Sequence, residues 1–157
     1  MDNTYITLYS KSPLETEEIG KIIGKISEGR ELFLLLGDLG AGKTVLVKGI
    51  AKGLGIDAQI VSPTFIIIKN YPGRLTLNHI DLYRINSIEG LGIEEYIDDD
   101  LSVTVVEWGE KLIDSLRLKE YLLVKIEITD DNSRKITLVP KGERYIRFIE
   151  RIREWQT

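Results

Sequence analysis

The sequence predicts an α/β domain: a mostly parallel central sheet flanked by helices, with an antiparallel hairpin at one edge. Residues 31–36 end in a purely apolar run, the mark of a strand buried on both faces. That run passes through a glycine-rich turn into apolar residues at helical spacing, Leu46, Val47, Ile50, Ala51 and Leu54. Strand, glycine turn and helix in that order open a βαβ unit. The hairpin is predicted by residues 121–128 and 135–139, which flank the polar turn Thr129-Asp130-Asp131-Asn132-Ser133.

The remaining elements follow in order. Residues 4–9 alternate as a short strand. Ser12-Pro13-Leu14-Glu15 is a helix start, with Ser12 as cap, proline at the first helical position and Glu15 closing a capping box. Ile19, Ile22, Ile23 and Ile26 give that helix one apolar face, and Gly29 ends it. Further strands are expected at 64–71, 75–82 and 102–107, with the segment 87–100 helical in parts. A last helix, about residues 143–155, is marked by Tyr145, Phe148, Ile149 and Ile152.

Composition narrows the function. With 157 residues, 43% apolar and 29% charged, the chain is expected to form one domain with a real core, which excludes intrinsic disorder. A formal charge of −4 argues against autonomous nucleic-acid binding, which needs a basic excess. The absence of cysteine removes disulfide scaffolds, thiol nucleophiles and zinc fingers. The longest apolar stretch, Leu32 to Leu36, is too short to span a membrane. The opening residues carry neither a basic nor an apolar signal region, so a cytoplasmic protein is expected.

The strongest chemical signal is Gly37-Asp38-Leu39-Gly40-Ala41-Gly42-Lys43-Thr44, a full match to G-x-x-x-x-G-K-[ST]. Glycines let successive backbone N–H groups turn inward around a phosphate, and the following helix presents its positive end to the anion. Lys43 supplies charge to the β- and γ-phosphates, and the Thr44 hydroxyl is placed to ligate Mg²⁺. Val45 completes the segment expected to line the nucleotide. The base-reading Asn-Lys-x-Asp and the Asp-x-x-Gly of GTPases are both missing, since Asp81 is followed by Leu82-Tyr83-Arg84. ATP is favoured by elimination.

Such a loop needs an acid at the carboxyl end of a neighbouring strand. Glu107 closes the β-branched run 102–107, and Asp81 closes the alternating strand 75–81 on the same face as His79. Each acid reads as a metal or water partner or as a solvated strand end. Ser62-Pro63-Thr64-Phe65 reads either as a switch loop whose Thr64 senses the γ-phosphate or as an ordinary Ser-Pro turn. His79, the sole histidine, is more in keeping with a structural residue than a catalyst. The acidic stretch 94–100 is a solvated surface or a dock for a basic partner.

GDLGAGKT, SPTF, HIDLYR and VEWGE, in this order in a chain of this length, resemble the bacterial TsaE family, from about Thr4 to Val139. The resemblance implies an ATPase needed to make threonylcarbamoyladenosine in tRNA. It works with TsaB and TsaD, meets tRNA only through that complex, and does not itself transfer the threonylcarbamoyl group. Carried over residue by residue, the resemblance makes Lys43 and Thr44 the phosphate-loop pair, Thr64 the switch threonine, Asp81 a catalytic acid and Glu107 a Mg²⁺ ligand. It places Ser12 and Thr16 toward the adenine. Gly109 stands where proline or alanine is common in the family, and the last helix is longer than expected. Two other readings stay open: a small-molecule kinase, and a non-catalytic switch that uses ATP binding to drive assembly.

Overall fold

The computed structural model describes residues 4–38, 40–61, 68–83, 85 and 90–156. In chain order the elements are β1 (Ile6–Ser10), α1 (Pro13–Ile26), β2 (Glu31–Leu36), α2 (Lys43–Gly53), β3 (Ile68–Tyr71) and β4 (Thr76–Asp81). There follow α3 (Ile93–Ile97), β5 (Ser102–Glu107), α4 (Glu110–Ser115), β6 (Tyr121–Ile128), β7 (Arg134–Lys141) and α5 (Glu143–Gln156). The strands form one seven-stranded sheet in the order β1-β7-β6-β2-β5-β4-β3. Its centre, β6-β2-β5-β4, is parallel. The β6–β7 hairpin is antiparallel as the sequence predicts, and β1 extends it on the outside. At the opposite edge β3 runs antiparallel to β4, so both margins of the parallel core carry antiparallel strands.

Each face of the sheet has its own core. Phe33, Leu35, Leu77, Val103, Val105, Leu122 and Val124 point to the face covered by α1, α2 and α5. Leu32, Leu34, Ile80 and Val106 point to the other, under α3 and α4. Continuous burial along β2 and β5 explains why both read as unbroken apolar or β-branched runs. The turn into β2 is pinned by the buried Glu31 carboxylate, which accepts from the N–H groups of Glu28 and Gly29 at 2.7 Å and pairs with Arg144 at 3.3 Å. On α5, the Tyr145 hydroxyl accepts from Leu32 N–H at 2.8 Å, fixing that helix to the start of β2.

The α1–α2 contact is unusually close. Gly20 and Gly24 of α1 face Gly49 and Gly53 of α2, and a Cβ at any of the four would run into a backbone carbonyl of the partner helix. At Gly24 that obstacle is the Ile50 carbonyl. The helix following the phosphate loop is thus set against α1 with backbone on backbone. The short α4, with Leu112 as its one buried residue, was not foreseen in the sequence, because six residues give little periodicity to read. Among the described residues no helix is long and apolar enough to cross a membrane.

Candidate nucleotide site

The loop after β2 turns as its glycines require. Gly40 and Gly42 have φ of 81° and 102°, values that side-chain-bearing residues rarely adopt, and Gly42 is the N-cap of α2. Ala41 N–H donates to Asp38 O at 3.0 Å, closing the turn. The result points the start of α2, with Lys43 and Thr44, toward the carboxyl edge of the parallel strands. Leu39 lies outside the described residues.

Lys43 is buried, and its ammonium donates to the Gly37 carbonyl at 2.8 Å. The same nitrogen sits 4.2 Å from the ring centroid of Trp108, a cation–π distance. Trp108 follows Glu107 with φ of 60°, donates its N–H to Leu35 O at 3.2 Å, and packs against the Tyr83 ring at 4.9 Å. Thr44 and Val45 are half-buried at the first turn of α2.

The two strand-end acids come together. Asp81 and Glu107 are register partners on β4 and β5, and Glu107 in turn stands beside Leu35 of β2, two residues before the loop begins. Their environments differ. Glu107 is 5% exposed, and its Oε2 shares a 2.6 Å hydrogen bond with Nε2 of the fully buried His79. Asp81 is half-buried, and its Oδ1 accepts from Tyr83 N–H at 2.9 Å. The segment after Asp81 is tied down from α4, where Lys111 Nζ donates to the carbonyls of Leu82, Tyr83 and Ile85 at 2.6, 3.2 and 3.1 Å.

Thr64 and its neighbours 62–67, and Arg84, lie outside the described residues. Ser12 caps α1, accepting from Glu15 N–H at 3.1 Å, while Glu15 reaches back to Lys11 N–H at 2.9 Å. The Thr16 hydroxyl is buried against Ser10 at 2.7 Å. Thr16 and Val45 nonetheless line one small cleft beside Gly42, of about 30 Å³, with Pro13, Asn132 and Arg134. Ser12 does not line it. A larger open cavity of about 380 Å³ is lined by Gly37, Asp38, Ala41 and the end of β6.

Arg134 braces the phosphate loop from the hairpin. Its Nε donates to Ala41 O at 2.8 Å, and Nη1 holds the Asp130, Asp131 and Ser133 carbonyls at 2.9–3.3 Å. No motif marks it, since the two segments are 93 residues apart in sequence. The acidic stretch is less free than it looked. Arg30 pairs with Asp98 at 3.5 Å and Asp100 at 3.2 Å. Asp99 is held below its ordinary pKa by the Leu101 N–H and the Ser102 hydroxyl.

The donor set suits Mg²⁺. Among the described residues no cluster of three metal-ligating side chains occurs, but Mg²⁺ beside phosphates takes only one or two protein ligands. Glu107 could meet that need from the end of β5, with its Oε2 on His79 Nε2 and its Oε1 outside that bond.

The family model for the threonylcarbamoyl adenosine biosynthesis protein TsaE matches residues 10–136. This chain belongs to the TsaE family. The TsaE protein of Treponema pallidum is 40% identical over 133 residues, 82% of this chain and 96% of that protein. That of Bacillus subtilis is 42% identical over 136 residues, 85% of each chain. The crystal structure of Bacillus subtilis YdiB superimposes with a TM-score of 0.83 at 34% identity, covering 98% of this chain and 97% of that one. TsaE is a nucleotide-binding, P-loop ATPase-like family.

Proposed function

We propose that this chain is the ATP-hydrolysing component of tRNA threonylcarbamoyladenosine biosynthesis. It works in the cytoplasm as a single domain with TsaB and TsaD, and does not itself transfer the threonylcarbamoyl group. The reading is supported above all by the loop 37–44 joining β2 to α2 beside the Glu107 carboxylate, in a TsaE-family chain.

The backbone N–H groups of the loop and the positive end of α2 hold the triphosphate. Lys43 exchanges the Gly37 carbonyl and the Trp108 ring for the β- and γ-phosphate oxygens, a neutral partner and a quadrupole for full negative charge. Thr44 and Glu107 would hold Mg²⁺, which would supply positive charge beside the phosphates. Asp81, at the end of the neighbouring strand, orients the attacking water. Thr64 senses the γ-phosphate, and Thr16 and Val45, with Ser12 nearby, stand on the adenine side of the loop. TsaB and TsaD complete the charge placement around the transition state.

The test is ATP hydrolysis measured with the chain alone, with TsaB–TsaD, and with tRNA added. Slow turnover alone and acceleration by the partners is the expected result. An unchanged rate with the partners bound defeats partner completion. ADP formation strictly dependent on a metabolite points to a kinase, and ATP binding without hydrolysis in any mixture points to an assembly switch.

A further inference from the structure

We infer that His79 is a positioning residue for the Mg²⁺ site: it holds one oxygen of Glu107 so that the other is presented to the metal. The inference rests on the reading of Glu107 as a Mg²⁺ ligand. The burial of His79 is unusual. The ring is fully buried in β4, its Nε2 lies 2.6 Å from Glu107 Oε2, and its Nδ1 has no hydrogen-bond partner among the described residues. A buried N–H without a partner is costlier than a bare lone pair, so the ring carries its hydrogen on Nε2 and donates it to the carboxylate.

Register explains what this does. His79 pairs with Val105, and Asp81 pairs with Glu107. Left to the pleat, the carboxylates of Asp81 and Glu107 would stand side by side as like charges. The bond to His79 draws Glu107 diagonally back along β4, while Asp81 turns to Tyr83 N–H. The two acids are thereby separated into different roles, and Glu107 Oε2 is occupied by a donor fixed in the middle of the sheet. A ligating carboxylate held this way is pre-oriented, and removing such a support costs about 10–100-fold in metal affinity.

The experiment is binding of a non-hydrolysable ATP analogue, titrated with Mg²⁺, for the wild-type chain, H79Q, H79N and E107A, with folding checked by thermal melting. Glutamine carries its amide nitrogen to about the position of Nε2, whereas asparagine reaches only that of Nδ1. H79N is expected to need about 10–100-fold more Mg²⁺. H79Q stays within a few-fold of wild type, and both bind the analogue like wild type in EDTA. Wild-type Mg²⁺ dependence in H79N beside a shifted E107A overturns the role of His79 and leaves Glu107 standing. An unshifted E107A overturns both, and equal shifts in H79N and H79Q overturn the donor assignment. If the His79 variants do not fold, the wild-type chain decides, because its one histidine gives unambiguous imidazole ¹⁵N signals. An Nε2–H tautomer whose signals move when Mg²⁺ is added to the analogue-loaded protein upholds the inference; an Nδ1–H tautomer or unmoved signals overturn it.

Discussion

Lys43 shows how much of the site's chemistry sits in single side chains. Its ammonium is buried and, among the described residues, held by the Gly37 carbonyl and the face of Trp108, neither of which carries a full charge. If Lys43 supplies charge to the transition state as proposed, Lys43→Ala should lower ATP turnover by on the order of 10²-fold or more, and a steady-state phosphate-release assay reads it. The acids should separate. Glu107→Ala raises the Mg²⁺ needed for nucleotide binding, whereas Asp81→Asn leaves binding within a few-fold and loses hydrolysis. A single titration series with both variants checks this, and wild-type hydrolysis in Asp81→Asn removes the water-orienting role.

At the scale of elements, the position of the phosphate loop depends on how α2 is packed. The four facing glycines of α1 and α2 bring two backbones together, and the loop rides at the end of that pair. Gly24→Ala puts a methyl group into the Ile50 carbonyl, so the helices must separate. Although alanine is the better helix former, the expected result is a loss of about 1–3 kcal/mol from overpacking. It should appear as a lower urea midpoint at unchanged slope. A stabilised variant would mean that the helices part without cost. The hairpin contributes as well through Arg134, which fixes the Ala41 carbonyl from β7 and so ties the loop to a strand two places from β2.

Across the whole molecule, α5 closes the core over β2, and its Tyr145 hydroxyl is a buried polar contact at that junction, beside the Arg144–Glu31 pair. Burial pushes the Tyr145 phenol above its ordinary value, outweighing the Leu32 N–H that favours the phenolate. In the unfolded chain tyrosine ionises near about pH 10. The unfolded state therefore releases this proton first, and native stability falls as the pH rises from there toward the raised native value. Urea midpoints at pH 9 and 10.5 should decline in the wild-type chain, and Tyr145→Phe should lessen the decline. The same substitution leaves Leu32 N–H unpaired and costs about 1–3 kcal/mol at neutral pH. An undiminished slope in Tyr145→Phe would assign the alkaline loss to other groups.

The sequence by itself determined the elements that local pattern governs: the bounds of β2, β5 and β6, the Ser12 cap, the phosphate loop, and the two acids at strand ends. Each of these is written in contiguous residues, as an apolar run, a capping box or a glycine spacing, so no distant partner is needed to read it. Only the tertiary structure decided the rest. Strand order is a matter of which edges meet, and β1 finds β7 far along the chain, as in the pairing of Ile6 with Leu138. His79 read as an isolated structural histidine because Glu107 lies 28 residues away on another strand. Arg134 and the α1–α2 glycine contact were silent for the same reason, since each has meaning only against its partner. Residue type sets what a side chain is able to do. Register between neighbouring strands, and the approach of one helix to another, decide which of those capacities meet.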